Sequence, residues 1–133
     1  MRFKTRRVER EWRQLLNEPH LCRKIVPVMV YADEASRWAT GYDCVVTNIL
    51  RTREEQEAIC RLRNVPFYTS VHQLWRGFDL EIANYTDEQA VAICSRVNHA
   101  FSYGRGKVVL AIHTEGTARH LHGQVPDDVA TWQ

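Results

Sequence analysis

The chain has 133 residues, of which 44% are hydrophobic and 26% charged, with a formal charge of +2 at pH 7. That length buries one core comfortably and two poorly, so the expectation is a single domain over residues 1-133. No apolar run is long enough for a membrane span and no apolar leader opens the chain, which excludes a spanning protein and points to synthesis in the cytoplasm without a signal peptide.

Arg2, Lys4, Arg6, Arg7, Arg10 and Arg13 concentrate positive charge at the start, and residues 1-18 read as a basic N-terminal helix. Val8, Trp12, Leu15 and Leu16 supply its apolar stripe. A basic arm of this kind can bind nucleic acid, but a solvated helix face is the simpler reading, so no nucleic-acid partner is expected. Pro19 is placed to open a second helix carrying Leu21, Ile25, Val28, Ala32 and Ala35 as far as Trp38, with Pro27 expected to kink or break it. Trp12 and Trp38 read as core.

Gly41 ends that region, and the β-branched run CVVTNIL predicts a buried strand. Thr52 begins a T-x-x-E capping box and a helix with Gln56, Ile59, Cys60 and Leu62 on its repeat, which leaves Arg51 at a strand-to-helix junction. SVHQLWRGFD follows a Pro-containing connection, and its FDLEIA continuation alternates like a strand. Thr86 to Gln89 is a second capping box, ahead of a helix whose buried face is expected to be Val91, Cys94, Val97 and Phe101. Gly104 and Gly106 close it. KVVLAIH and RHLHGQV flank a turn-like EGTA and predict a β-hairpin. The four cysteines lie far apart among apolar neighbours and read as reduced core residues. The order of elements predicts an α+β fold, with helices packed on a small, largely antiparallel sheet.

In the last strand, His120, His122 and Gln124 project to one side and Leu121, Gly123 and Val125 to the other. His113, across the turn, can share the polar face. His72 and Asp79 from the earlier stretch, joined to one histidine of the His120-x-His122 pair, would make two imidazoles and one carboxylate, a three-ligand zinc set that leaves a position open for water and suits catalysis better than pure structure.

These residues resemble a known family. Ser70, His72 and Asp79, followed downstream by His120-x-His122, are similar to the zinc peptidases of the lysostaphin, D-Ala-D-Ala peptidase and hedgehog-like superfamily. The nearer likeness is to the D-alanyl-D-alanine carboxypeptidase and L-alanyl-D-glutamate endopeptidase branch, which includes phage endolysins. Arg51 and Gln56 in RTREEQ resemble that branch's Y-R-S/T-x-x-x-Q segment, so the similarity spans residues 43-126, the expected metal-site core.

The resemblance implies a hedgehog or D-Ala-D-Ala-peptidase-like fold and one zinc ion held by His72, Asp79 and His122. His120 would stand beside the metal water as base, and Arg51 would meet a substrate carboxylate or the oxyanion. Ser70, Gln56 and Trp75 would shape the substrate cleft. The family's S-x-H-x-x-G-x-A-x-D has Gly and Ala where this chain has Trp75 and Gly77, and many members carry a catalytic Glu where this chain has Arg119. His120 is therefore the preferred base, with Glu115 and His113 as further candidates.

Zinc held by two neutral imidazoles and a carboxylate keeps a net charge near +1, which draws the pKa of its water towards about 7 and polarises a peptide carbonyl. The implied function is hydrolysis of a peptide bond in the stem peptide of peptidoglycan, by a monomer that reaches the cell wall after phage-type release or as part of a virion. The alternative is a catalytically inactive zinc-containing module of the same fold that binds peptidoglycan or protein.

Overall fold

The computed structural model describes residues 1-18, 20-22, 24-101, 108-114 and 118-126. Helix α1 (Arg6–Asn17) starts where Thr5, in extended conformation, accepts a hydrogen bond from the Val8 amide. Its buried face is Val8, Glu11 and Leu15. Trp12, expected in the core, is half-buried, and Leu16 is exposed. Glu11 goes inward instead because its carboxylate is satisfied there, accepting from the Leu50 amide at 3.2 Å and from Arg7 Nε at 3.0 Å.

Helix α2 (Ile25–Thr40) runs through Pro27 without interruption. Pro27 is the third helical residue, in the first turn, where backbone amides have no partner within the helix and nothing is lost by lacking one. The expected opener Pro19 lies outside the described residues. Gly41 closes α2 in the left-handed region, at φ 81°, with its amide on the Arg37 carbonyl. Trp38 is 60% exposed rather than in the core, with the Arg96 guanidinium 4.1 Å above its ring.

Helices α3 (Arg53–Arg63) and α4 (Asp87–Ala100) both begin with the capping boxes read from the sequence, Thr52 with Glu55 and Thr86 with Gln89. On α4 the buried residues are Ala90, Ile93 and Val97, while Val91 is exposed and Cys94 half-buried. Apolar residues stand side by side at 90 and 91 and again at 93 and 94, so periodicity alone leaves the rotation of the stripe open. Packing against the core turns Ile93 inward.

The sheet has the order β1-β2-β3-β5-β4, from β1 (Arg2–Phe3), β2 (Val45–Asn48), β3 (Gly77–Glu81), β4 (Leu110–His113) and β5 (His120–Gln124). The two-residue β1, which has no sequence signal, pairs parallel with β2, and the other three pairings are antiparallel. The described residues thus form an α+β fold of four helices, a short 3-10 helix and a mixed, largely antiparallel sheet. Phe78, Leu80 and Leu121 project into a core shared with Val28 and Ala32 of α2 and Ile93 and Val97 of α4. The alternate residues Asp79, Glu81, His120 and His122 therefore face the other way.

No helix among the described residues is long and apolar enough to cross a membrane. The four cysteines are free. Cys44 and Cys60 are buried as expected, whereas Cys22 and Cys94 are only half-buried. Burial pushes the Cys94 thiol up to about 11, which keeps it protonated and unreactive near neutral pH. Among the described residues, Lys4 pairs with Glu81, Arg7 with Glu11 and Glu55, and Arg13 with Glu9, so part of the N-terminal positive charge is answered there.

Candidate metal centre

His72 is carried by the 3-10 helix Val71–Leu74, just ahead of β3. Ser70 caps that turn by accepting from the His72 amide at 3.2 Å, and Gln73 returns the favour by accepting from the Ser70 amide at 2.8 Å. Trp75 then leaves the turn in the left-handed region, at φ 59°. Gly77 lets the turn lie close to the strand that follows, since a Cβ there would stand 2.7 Å from Val71 Cγ2 and 3.3 Å from the His72 amide nitrogen. Local backbone chemistry thus places His72 over the start of β3.

Strand pairing does the rest. Asp79 on β3 lies directly opposite His122 on β5, and Glu81 opposite His120, which is itself paired with His113 of β4. His122 Nδ1 is 3.0 Å from Asp79 Oδ1, His72 Nε2 is 3.3 Å from the same oxygen, and His120 Nε2 is 3.6 Å from it. Residues far apart in the chain therefore meet around one carboxylate oxygen.

The outward nitrogen of each ring faces an oxygen acceptor. His72 Nδ1 is 3.0 Å from the Ile49 carbonyl, His120 Nδ1 is 3.0 Å from the Ala118 carbonyl, and His122 Nε2 is 3.3 Å from Gln124 Oε1. Each inward nitrogen faces Asp79, so in the metal-free site it can donate to that carboxylate, and with the ring proton on the outer nitrogen instead it would turn a lone pair inward. His72, Asp79 and His122 can hold a metal ion. Burial pushes the Asp79 carboxyl up, but hydrogen bonding with His122 and His72 outweighs it and holds the group well below the usual carboxylate range. Asn48 Nδ2, 3.4 Å from Asp79 Oδ2, orients the second oxygen.

This cluster sits in a cleft of about 620 Å³ that His72, Asp79, His120, His122, His113, Arg51 and Ser70 all line. Ile59 and Leu62 of α3, with Tyr68, form an apolar wall. Arg51 is held by Nη1, which donates to Gln56 Oε1 at 2.8 Å and lies 3.4 Å from Ser70 Oγ. Gln56 is fully buried and acts on the cleft only through Arg51, so it does not itself line the groove. Trp75, expected to wall the groove, packs half-buried against the hydrophobic core instead and does not line the cleft. Arg119 lines the cleft and pairs with Asp87 of α4 at 2.7 Å. Glu115 lies outside the described residues.

Sequence reasoning missed Asn48 and the Ile49 carbonyl, both at the end of β2. A signal existed for the first, since Asn48 is a polar residue closing an apolar strand, but a backbone carbonyl leaves none. The S-x-x-Q cap at Ser70 and Gln73 was legible as a pattern and gives Ser70 a structural task besides its place in the cleft. No family model, curated protein or solved structure matches the chain.

Proposed function

We propose that the chain is a zinc-dependent peptidase that hydrolyses a peptide bond in the stem peptide of peptidoglycan, with the fold of the hedgehog and D-Ala-D-Ala peptidase superfamily. The observation that carries the reading is the convergence of His72 Nε2, His122 Nδ1 and Asp79 Oδ1, with the other nitrogen of each ring facing an outer oxygen. Ligands about 2.0–2.1 Å from a tetrahedral zinc ion stand roughly 3.3 Å apart. The two separations to Asp79, 3.3 and 3.0 Å, lie close to that figure.

One further feature supports the family: position 75, where the motif has Gly, takes a left-handed backbone here, the conformation for which Gly is the usual choice. Position 77, where the motif has Ala, has no room for a Cβ here and departs from the motif.

Bound zinc supplies a Lewis acid that polarises the scissile carbonyl and acidifies a water. His120, whose Nδ1 lies 3.0 Å from the Ala118 carbonyl, would accept the proton of the attacking water at Nε2 and return it to the leaving amine. Arg51, braced by Gln56, donates hydrogen bonds to the oxyanion or to a substrate carboxylate. The apolar wall and Arg51 together suit a short peptide with a carboxylate near the scissile bond.

Metal analysis of the purified protein is expected to find roughly one zinc per chain, lost in His122→Ala. Less than about half an equivalent in the wild type, unchanged by that substitution, sinks the proposal. His120→Ala is expected to keep the metal and lose about 10²–10⁴-fold in hydrolysis of cell-wall sacculi, followed by mass spectrometry of released muropeptides. A second reading, an inactive zinc-containing binding module, draws on Arg119, which stands at the family's acidic position and is tied to Asp87. Sacculi that yield no new peptide termini, with zinc in place, would select it.

A further inference from the structure

The hairpin carries more imidazole than the deep cluster uses. His113 of β4 faces His120 of β5 in the sheet register, with ring centroids 5.8 Å apart, and its ring stacks on His122 at 4.6 Å and 16°. Each of the three offers a nitrogen, and these nitrogens lie within 4.8 Å of one another. His113 is exposed while His120 and His122 are half-buried, so the triad opens on the mouth of the cleft whose floor is His72 and Asp79. Three imidazoles suit zinc, nickel or copper in the divalent state. The edge of a tetrahedral set is roughly 3.3 Å, so a bound ion would draw the three side chains together from within 4.8 Å.

We propose that His113, His120 and His122 form an outer seat for the same divalent ion, through which the ion passes to the deep site. The inference rests on the metal reading above for the deep site and goes beyond it at the rim. His122 Nε2 lies 3.3 Å from Gln124 Oε1, and with the ring proton donated there His122 would have one lone pair to offer a metal, at Nδ1. An ion on the outer seat and an ion on the deep seat therefore exclude each other, and His122 hands the ion from one to the other. The deep seat binds more tightly because it adds the charge of the buried Asp79 carboxylate, whereas the outer ligands are neutral. An ion on the outer seat also occupies Nε2 of His120, so the protein is inactive until the ion moves inward.

Equilibrium dialysis of the full chain against zinc, with total metal measured, separates the two seats. The wild type is expected to hold about one ion, and His72→Ala and Asp79→Asn to hold about one each, at least about tenfold more weakly. Adding His113→Ala to either of those variants is expected to abolish binding, with circular dichroism verifying that each is folded. Should folded His72→Ala and Asp79→Asn bind no zinc, the outer seat is overturned and the deep site stands. Undiminished binding in the double variants overturns the outer seat too. If the wild-type ion survives His72→Ala at full affinity and is lost in His113→Ala alone, the deep site is the reading that fails. A wild type that binds no zinc overturns both. Stopped-flow mixing of the metal-free wild type and His113→Ala with zinc tests the route: slower uptake by the variant is expected, and an equal rate overturns passage through the rim.

Discussion

Asp79 shows how much a single side chain can organise. A carboxylate as buried as this one is costly unless its charge is answered, and here two imidazoles and the Asn48 amide answer it. The neighbouring residue on the strand has the opposite task, since Phe78 points into the core and fills the space beside Gly123 of β5. A methyl group added at Gly123 would overlap the Phe78 ring, and both residues are fully enclosed. Gly123→Ala is therefore expected to destabilise the protein by about 1–3 kcal/mol through overpacking. Urea unfolding measures this, and a variant within about 0.5 kcal/mol of the wild type would show that the ring gives way freely. Trp75 carries the reverse burden, a bulky side chain on a left-handed backbone that costs roughly 1–3 kcal/mol, offset by its packing on the core.

Helix α3 forms one wall of the cleft, and its first turn is fastened to α1. Glu55 completes the capping box by accepting from the Thr52 amide at 2.9 Å, and it takes both Arg7 Nη1 and Nη2, at 3.0 and 2.7 Å. The Arg7 hydrogen bonds, acting against burial and aided by the Thr52 amide, pull the Glu55 carboxyl down to about 2. A depressed folded value means that the stabilisation is complete above the ordinary value of 4.5 and is lost as pH falls through about 2. Both side chains are 44% exposed, so solvent screening limits the gain to under about 1 kcal/mol. Glu55→Gln is expected to lower the melting temperature at pH 7 and to converge with the wild type as the pH drops from 4.5 to about 2. A gap that persists undiminished at pH 2 would assign the effect to lost capping geometry rather than to charge.

Across the whole molecule, the deep cluster joins the 3-10 helix, β3 and β5, with the end of β2 as its brace. Zinc bound to the native arrangement and not to the unfolded chain stabilises by about 2.7 kcal/mol at a concentration one hundred times Kd. For a chain of this size that corresponds to a rise in Tm of roughly 8–12 °C. Differential scanning calorimetry with zinc, then with a chelator, is expected to show the rise and its reversal, and neither in His122→Ala. Equal melting curves with and without the ion would argue that no such tie exists.

Local chemistry was legible in the residues themselves. Thr52, Thr86 and their partners announced two helix starts, because a cap is a contact between residues three apart. Alternation in RHLHGQV placed Leu121 in the core and His120 and His122 on the opposite face, because a strand has a period of two. What needed the tertiary structure was whatever depends on a partner distant in sequence. The parallel pairing of β1 gave no pattern in two residues, Glu11 was drawn inward by the Leu50 amide, and the rotation of α4 was chosen by what it packs against. The metal cluster stands between these cases. His72, Asp79 and His122 could be named from the chain, since their side chains are the chemistry. Only the β3–β5 register and the turn that carries His72 decided that their side chains meet around one oxygen, because strand pairing is a property of the assembled sheet.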